Sequence, residues 1–591
     1  MHTAVPWLLP PGQDHFPGPA NVSCHWRLHR TAAKMVTLII FNLYPVGTLV
    51  PVSTTRTTRA SKTTGLRYWM LRVLDECDHV SADFGADPVH DLRISLRRCR
   101  SLADGLMALD PEPNWKAMKK AGKRLFQRLG ALRDAQVMME WVEKLGPAEA
   151  SVEQGRVERA LLPALSPSQP DDKSIQNSAD PVPQLLLEIL HRREQEQKLE
   201  AQAALAEFDR KQWRQWSKSL PARAAHIRPG SALFKHLALE RWTAARELHN
   251  RALRNRSQVA FHSLRIGIKR LRYIVENFLP VEHKAWSNDL KQMQDLLGEV
   301  HDLDVLWVTA VECHVFPDQH SRQHWHQRIL AERTKRIDHY RKKMIGPDSL
   351  WQVWRAALPQ GRQIQTLATR RMKLWANGLD PDFPHSERVA GLALQLYDGL
   401  LASGWRPSVD GISARSSLIA AALLHDVGKS KGEKGHHKIS FNMIRAHGNP
   451  LGWKLADLQR AAIVARFHRG ALPTRKHQAL RDLLPDEQKA TIELAAILRL
   501  ANAFDAAHNG HIRRIQIENA QIRTKIRTKG NEAVIIAAEG YSPLGPSAQT
   551  IAAERHLLET VLRRPIVIKA MKNPSILGKK AKNSRPPRGV R

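Results

Sequence analysis

VHDLRISLRRCRSLADGL, Val89 to Leu106, aligns without a gap on FHSLRIGIKRLRYIVENF, Phe261 to Phe278. Both copies read His-x2-Arg-x3-basic-x2-Arg: His90, Arg93, Arg97 and Arg100 in the first, His262, Arg265, Lys269 and Arg272 in the second. At 3.6 residues per helical turn these four positions share an arc of roughly 80°. Each copy is therefore a helix carrying one continuous basic stripe headed by a histidine. LGALRDAQV (Leu129 to Val137) and LGEVHDLDV (Leu297 to Val305) repeat in the same order, so the duplication extends over several elements. From 66 to about 346 the pattern is helical, which predicts two helical halves.

Cations stacked at helical spacing repel one another. No carboxylate stands four residues from Arg93, Arg97, Arg265 or Lys269 to offset that cost. Solvated faces do not usually reproduce residue type at four positions, so the simplest account is an anion-binding groove. Composition agrees: 91 Lys and Arg against 57 Asp and Glu give a net charge of +34, a surface that attracts polyanions. Nucleic acid ranks last among these, because the stripes lack the interleaved aromatics that stack bases.

Four cysteines, none in a CxxC pair, point to a reducing cytoplasm and away from a cysteine metal site. The apolar run Met35 to Val52 is interrupted by Asn42, Pro45 and Gly47, and it falls short of a membrane span. No membrane attachment is expected. Residues 1–65, rich in Pro, Thr and Ser, read as a disordered extension. A proline-rich linker is expected near 162–184, and residues 572–591 read as a basic tail.

Three His-Asp pairs compete for a metal site. In the repeat, Asp91 is matched by Ser263 and His301 by Arg133, so neither His90-Asp91 nor His301-Asp302 is a shared metal-binding design. The third pair, His425-Asp426 in ALLHDVGKSKG, ends an alanine-rich helix within a spaced set: His385, His425-Asp426, His436 and His437, His468 and Asp505. Imidazole and carboxylate together bind divalent metals, and a bound metal readies water for attack on phosphorus.

On these motifs the region from about 66 to 346 resembles the CHAD domain, a pair of helical bundles around a basic channel that binds inorganic polyphosphate. The resemblance implies that His90, Arg93, Arg97, Arg100, His262, Arg265, Lys269 and Arg272 contact phosphate. It also leaves Lys119, Lys120, Arg124 and Arg128 as an extension of that surface. Beside a polyanion the histidines should take up protons more readily.

The segments HSERVAGLAL, AALLHDVG, HHKISFNMI, ARFHRG and ILRLANAFDAAH resemble the HD superfamily of phosphohydrolases. More closely, they resemble the C-terminal region of the exopolyphosphatase/guanosine pentaphosphatase family. That likeness implies an all-helical HD-type domain over 378–515 and a small α/β appendage over 516–571 with three short strands before its helix. It also implies metal ligands His385, His425, Asp426 and Asp505. His437 and His468 would serve a second metal or the substrate, with His436 the alternative to His437, and Lys429 would neutralise the phosphoryl group. The metal would be Mn, Mg, Fe or Zn.

The actin-like half that carries polyphosphate hydrolysis in that family has no counterpart in this sequence. The expectation is thus a mainly α protein, cytoplasmic and associated with polyphosphate granules. It would bind polyphosphate and hydrolyse polyphosphate or a phosphorylated nucleotide at an HD-type metal site. The alternative is a non-catalytic polyphosphate-binding or nucleotide-sensing scaffold.

Overall fold

The computed structural model describes residues 65–146, 180–518 and 533–571. The expected N-terminal extension, the body of the proline-rich linker, the second expected strand and the basic tail lie outside the described residues. The described chain is mainly helical, with one small sheet.

The first half comprises α1 (Leu66–Ala82), α2 (Ala86–Leu106), α3 (Pro113–Leu145), α4 (Pro181–Ala206) and α5 (Arg210–Ala224). The second comprises α6 (Ala232–Asn255), α7 (Gln258–Phe278), α8 (Pro280–Glu312) and α9 (Gln319–Met344). The stripe helices α2 and α7 each have 21 residues, and each precedes a helix of 33 residues that opens on proline. Proline suits that position because the N–H it lacks would have no partner within the helix. α2 packs on α7 and α3 on α8, so like elements of the two copies meet. Val89, Leu92, Leu96, Cys99 and Leu102 of α2 share one core with Phe261, Leu264, Ile268, Leu271 and Val275 of α7. Their three- and four-residue spacing leaves the basic stripes off the packed face.

The linker ends sooner than its prolines suggest. Pro181 and Pro183 stand in the first turn of α4, where the Asp180 carboxylate accepts a hydrogen bond from the Val182 N–H at 3.1 Å.

The third region begins with α10 (Leu350–Ala356) and α11 (Arg362–Asn377), followed by α12 (Phe383–Ala402) and α13 (Gly411–Leu424). After a 3-10 turn (Val427–Lys431) come α14 (His436–His447), α15 (Leu455–Arg466), α16 (Gln478–Arg481) and α17 (Pro485–Phe504). β1 (Ile515–Glu518) pairs antiparallel with β2 (Val534–Ala538), Ile515 opposite Ala538. Beyond α18 (Ala548–Leu562), β3 (Ile566–Ala570) joins β2 in parallel. Ile515, Val534, Ile536, Ile551 and Ile566 belong to the same core as α12, α13, α15 and α17. The appendage is therefore continuous with the helical region, sharing its core.

This region is bolted to the duplicated half through buried polar groups. The Arg371 guanidinium reaches Glu240 at 2.7 Å and donates to His236 Nδ1 at 3.0 Å. His236 Nε2–H donates in turn to the Leu451 carbonyl at 2.9 Å. Burial, and then the neighbouring Arg371, keep His236 from protonating, so each ring nitrogen has a matched partner. No helix among the described residues is long and apolar enough to cross a membrane.

Candidate functional site

Four histidines converge at helix ends. His385 lies in the first turn of α12, His425 follows the last residue of α13, His436 opens α14, and His468 stands just past α15. The alanines Ala420, Ala421 and Ala422 are fully buried, so α13 ends deep in the core and His425 and Asp426 are delivered there. His385, His425, Asp426, His436 and His468 are all buried.

The hydrogen bonds fix the tautomers. His425 Nδ1 lies 2.7 Å from the Ala422 carbonyl, His436 Nδ1 2.9 Å from that of Glu433, and His468 Nδ1 2.7 Å from that of Ala465. A carbonyl can only accept, so each Nδ1 carries the proton and each Nε2 presents a lone pair. His436 Nε2 and His468 Nε2 stand 3.3 Å apart, and they approach Asp426 Oδ1 at 3.1 and 3.6 Å. His425 Nε2 and Asp426 Oδ1 are buried without a hydrogen-bond partner. His425 and His468 are held below the ordinary histidine range, by burial first. Burial would raise the Asp426 carboxyl, but His425, His436, His468 and Lys429 outweigh it and hold it well below the carboxylate range.

Facing lone pairs beside a buried carboxylate repel unless a cation sits among them. The donors form two overlapping groups that could hold a metal ion, His385 with His425 and Asp426, and Asp426 with His436 and His468. Imidazole nitrogen with one carboxylate suits a divalent first-row metal.

Asp505, expected as a ligand, and His437, expected to serve a second metal or the substrate, lie outside both groups. Both Asp505 oxygens are engaged: Oδ2 accepts from His385 Nδ1–H and Arg388 Nε–H, each at 2.8 Å, and Oδ1 from the Gly510 N–H at 2.9 Å. Asp505 thus orients the His385 ring through the first of these hydrogen bonds. His437 points away from the group. Its ring centroid is 6.1 Å from that of His436 and 6.4 Å from that of His468, and its Nε2 faces Gly470. Burial, then His436, Arg466, Arg469 and Lys438, press His437 down to about 4, so it is neutral on a cationic rim. His436, the alternative in the sequence, takes the inner position. Lys429 Nζ sits 2.7 Å from Asp426 Oδ2 and so is paired with the carboxylate of the group. Sequence reasoning missed Asn502, whose Oδ1 is 3.0 Å from His385 Nε2, and His508, whose ring stacks on that of His385 at 3.8 Å.

Gly428 sets how closely α14, which carries both adjacent histidines, seats against the 3-10 turn. A Cβ there would lie 2.3 Å from the His436 carbonyl and 2.7 Å from the Ser440 N–H, both backbone atoms that cannot swing aside. The glycine lets α14 seat against the 3-10 turn, where the Gly428 N–H donates to Ser440 Oγ at 2.9 Å. Gly428→Ala should cost about 3 kcal/mol or more in urea unfolding, at the upper end for an overpacked core. It should also displace His436.

In the duplicated half, the two stripes face a common seam. Arg97 of α2 and Lys269 of α7 each lie 5.9 Å from the Tyr273 ring, and Arg93 and Arg100 flank Phe126 at 5.4 and 4.8 Å. Burial, then Arg265, Arg97, Arg93 and Arg100, lower the Lys269 ammonium to about 8, so both copies act on one side chain. One guanidinium nitrogen on each of Arg93 and Arg100 is buried without a partner. Arg272 is 3.9 Å from Glu276. His90 is exposed beside Asp91, while His262 Nδ1 meets His301 Nδ1 at 3.3 Å. Burial, then Arg265 and Lys269, make His262 harder to protonate.

The repeated LG-x3-D segments supply Asp134 and Asp302, which act on the same cations. Burial raises the Asp302 carboxyl to about 6, with Arg265 opposing. Three of the four residues expected to extend the surface have acidic partners, Lys119 with Asp104, Arg124 with Glu207 and Arg128 with Glu200, and Lys120 is exposed.

Residues 71–310 match the model of the CHAD domain. Residues 370–539 match that of Ppx/GppA phosphatase, domain III. No curated protein matches the chain.

Proposed function

Because the chain joins a CHAD domain to a Ppx/GppA domain III, a pairing that indicates a polyphosphate-related function, we propose a polyphosphate-binding, metal-dependent HD-type phosphohydrolase. The observation that carries the proposal is the set of three imidazoles locked by backbone carbonyls with their Nε2 lone pairs turned on Asp426. A divalent metal bound there would supply Lewis acidity and a water that ionises near neutral pH. His385, His425, Asp426, His436 and His468 would hold it, and Asp505 would orient His385. Lys429 would keep Asp426 ionised, and His437 with Arg466, Arg469 and Lys438 would receive the phosphoryl oxygens. His90, Arg93, Arg97, Arg100, His262, Arg265, Lys269 and Arg272 would bind the polymer, whose guanidinium partners suit paired phosphate oxygens. A chain held on the stripes raises the concentration of its end near the metal site.

Metal analysis of the purified protein, followed by phosphate release from polyphosphate, pyrophosphate and guanosine tetraphosphate with Mn or Mg, tests this reading. Metal-dependent release from at least one substrate, abolished in Asp426→Ala, is expected. Release from none would overturn it.

The seam also predicts a pH dependence. An anion favours charged Lys269 and neutral Asp302. Lys269 is already charged below about 8, so affinity should fall as pH rises above that value. Asp302 gives up its charge near 6, so affinity should rise as pH falls toward 6 and below. Between pH 7.5 and 5.5 the gain should be about three- to tenfold, the range one titrating group can supply. Calorimetry with polyphosphate should find this acid limb flattened, and affinity at pH 7.5 raised, in Asp302→Asn.

A further inference from the structure

Where the two matched regions meet, α6 and α11 bound a cavity of about 730 Å³. Arg228 and Ser231 reach it from the duplicated half, and Arg370, Leu374 and Phe383 from the other. Lys373 also lines it, but its charge is taken by Glu387. Among the described residues the Arg228 and Arg370 side chains have no ion-pair or hydrogen-bond partner. Ser231 heads α6 without its side chain capping the helix, and its Oγ is buried with no hydrogen-bond partner. The opposite wall is apolar, built by Leu233, Leu374 and the buried Phe383.

We propose that this junction binds a small phosphorylated ligand bearing an apolar ring, of the nucleoside diphosphate class. The site is separate from both the stripes and the metal group. Two arginines from different regions line one space, an arrangement that suits a diphosphate better than a single phosphate. An apolar wall would be wasted on inorganic phosphate, whereas a ring would cover Leu374 and Phe383. The volume lies within the roughly 300–1,000 Å³ of small-molecule pockets, which favour domain junctions. Phe383 and Glu387 stand two residues before and after His385 on α12, about 200° around the helix. One helix thus presents the cavity on one face and the metal group on the other. The proposal rests on neither hydrolysis nor polymer binding.

Calorimetry of ADP binding to the full chain, after chelator treatment so that the metal group takes no part, tests it. Wild type should bind one ADP per chain. Arg228→Ala with Arg370→Ala, both at exposed positions, should weaken ADP at least tenfold and leave tripolyphosphate binding unchanged. Asn377→Glu, which puts a negative charge on the rim of the cavity, should weaken ADP as well. A variant with alanine at Arg93, Arg97, Arg265 and Lys269 should bind ADP as wild type does. Four results would each overturn the site: no saturable ADP binding, binding indifferent to the arginine pair, equal loss of ADP and tripolyphosphate in that pair, or loss of ADP in the stripe variant.

Discussion

Replacing His436 with alanine should abolish metal binding, while replacing its neighbour His437 should leave the metal in place. His436 Nε2 sits 3.1 Å from Asp426 Oδ1 and 3.3 Å from His468 Nε2, with its proton committed to the Glu433 carbonyl. His437 lies near Gly470, and the charges of Arg466 and Arg469 act on it. Loss of a residue that merely supports a ligand typically costs 10–100-fold in metal affinity, so loss of the ligand itself should cost at least about a hundredfold. His437→Ala should instead raise KM for the phosphorylated substrate with metal content unchanged. Elemental analysis and Mn titration of both variants separate the two roles, and equal metal loss in both would refute the inward placement of His436.

Alanine at Arg93, Arg97, Arg265 and Lys269 together should weaken polyphosphate binding about a thousandfold. A hydrogen bond to a charged group contributes roughly 1.5–3 kcal/mol, and four of them need not add fully. At roughly 1.4 kcal/mol per decade, even a partial sum reaches three decades. Fewer neutralised phosphates should also flatten the salt dependence, by roughly 0.7 in log–log slope per cation lost if the polymer behaves as a single-stranded polyanion. Asp134 and Asp302 lose counter-charges in this variant, so its folding is checked first by circular dichroism. These cations crowd one another at the seam, and guanidinium nitrogens of Arg93 and Arg100 lie buried with no partner, so the protein carries them at a cost to stability. Unchanged affinity in a folded variant would contradict the assignment.

The stripes were legible because they occur twice, and the copies constrain each other as an alignment would. Helices α2 and α7 follow from the same apolar spacing and have the same 21-residue length. His425-Asp426 was legible from its spaced companions. What escaped the sequence depends on contacts between distant segments. His436 and His437 are adjacent, and which of them turns toward Asp426 depends on how α14 seats against the 3-10 turn. Asp505 has the right residue type for a ligand, and its hydrogen bonds from Arg388 and Gly510 depend on the fold. Arg124 and Arg128 look free along the chain and are neutralised by Glu207 and Glu200, 83 and 72 residues away. The LG-x3-D aspartates were visible as a repeat. Their action on the cationic seam was not, because the cations come from other helices.

Orthophosphate release from long-chain polyphosphate in the presence of Mn tests the central claim most directly. It should be followed in wild type, in Asp426→Ala and in the four-residue stripe variant. The account predicts steady release by wild type, none by Asp426→Ala, and release by the stripe variant only at much higher polymer concentration. Equal rates in all three would contradict it, as would the absence of metal-dependent release by wild type from polyphosphate, pyrophosphate and guanosine tetraphosphate alike.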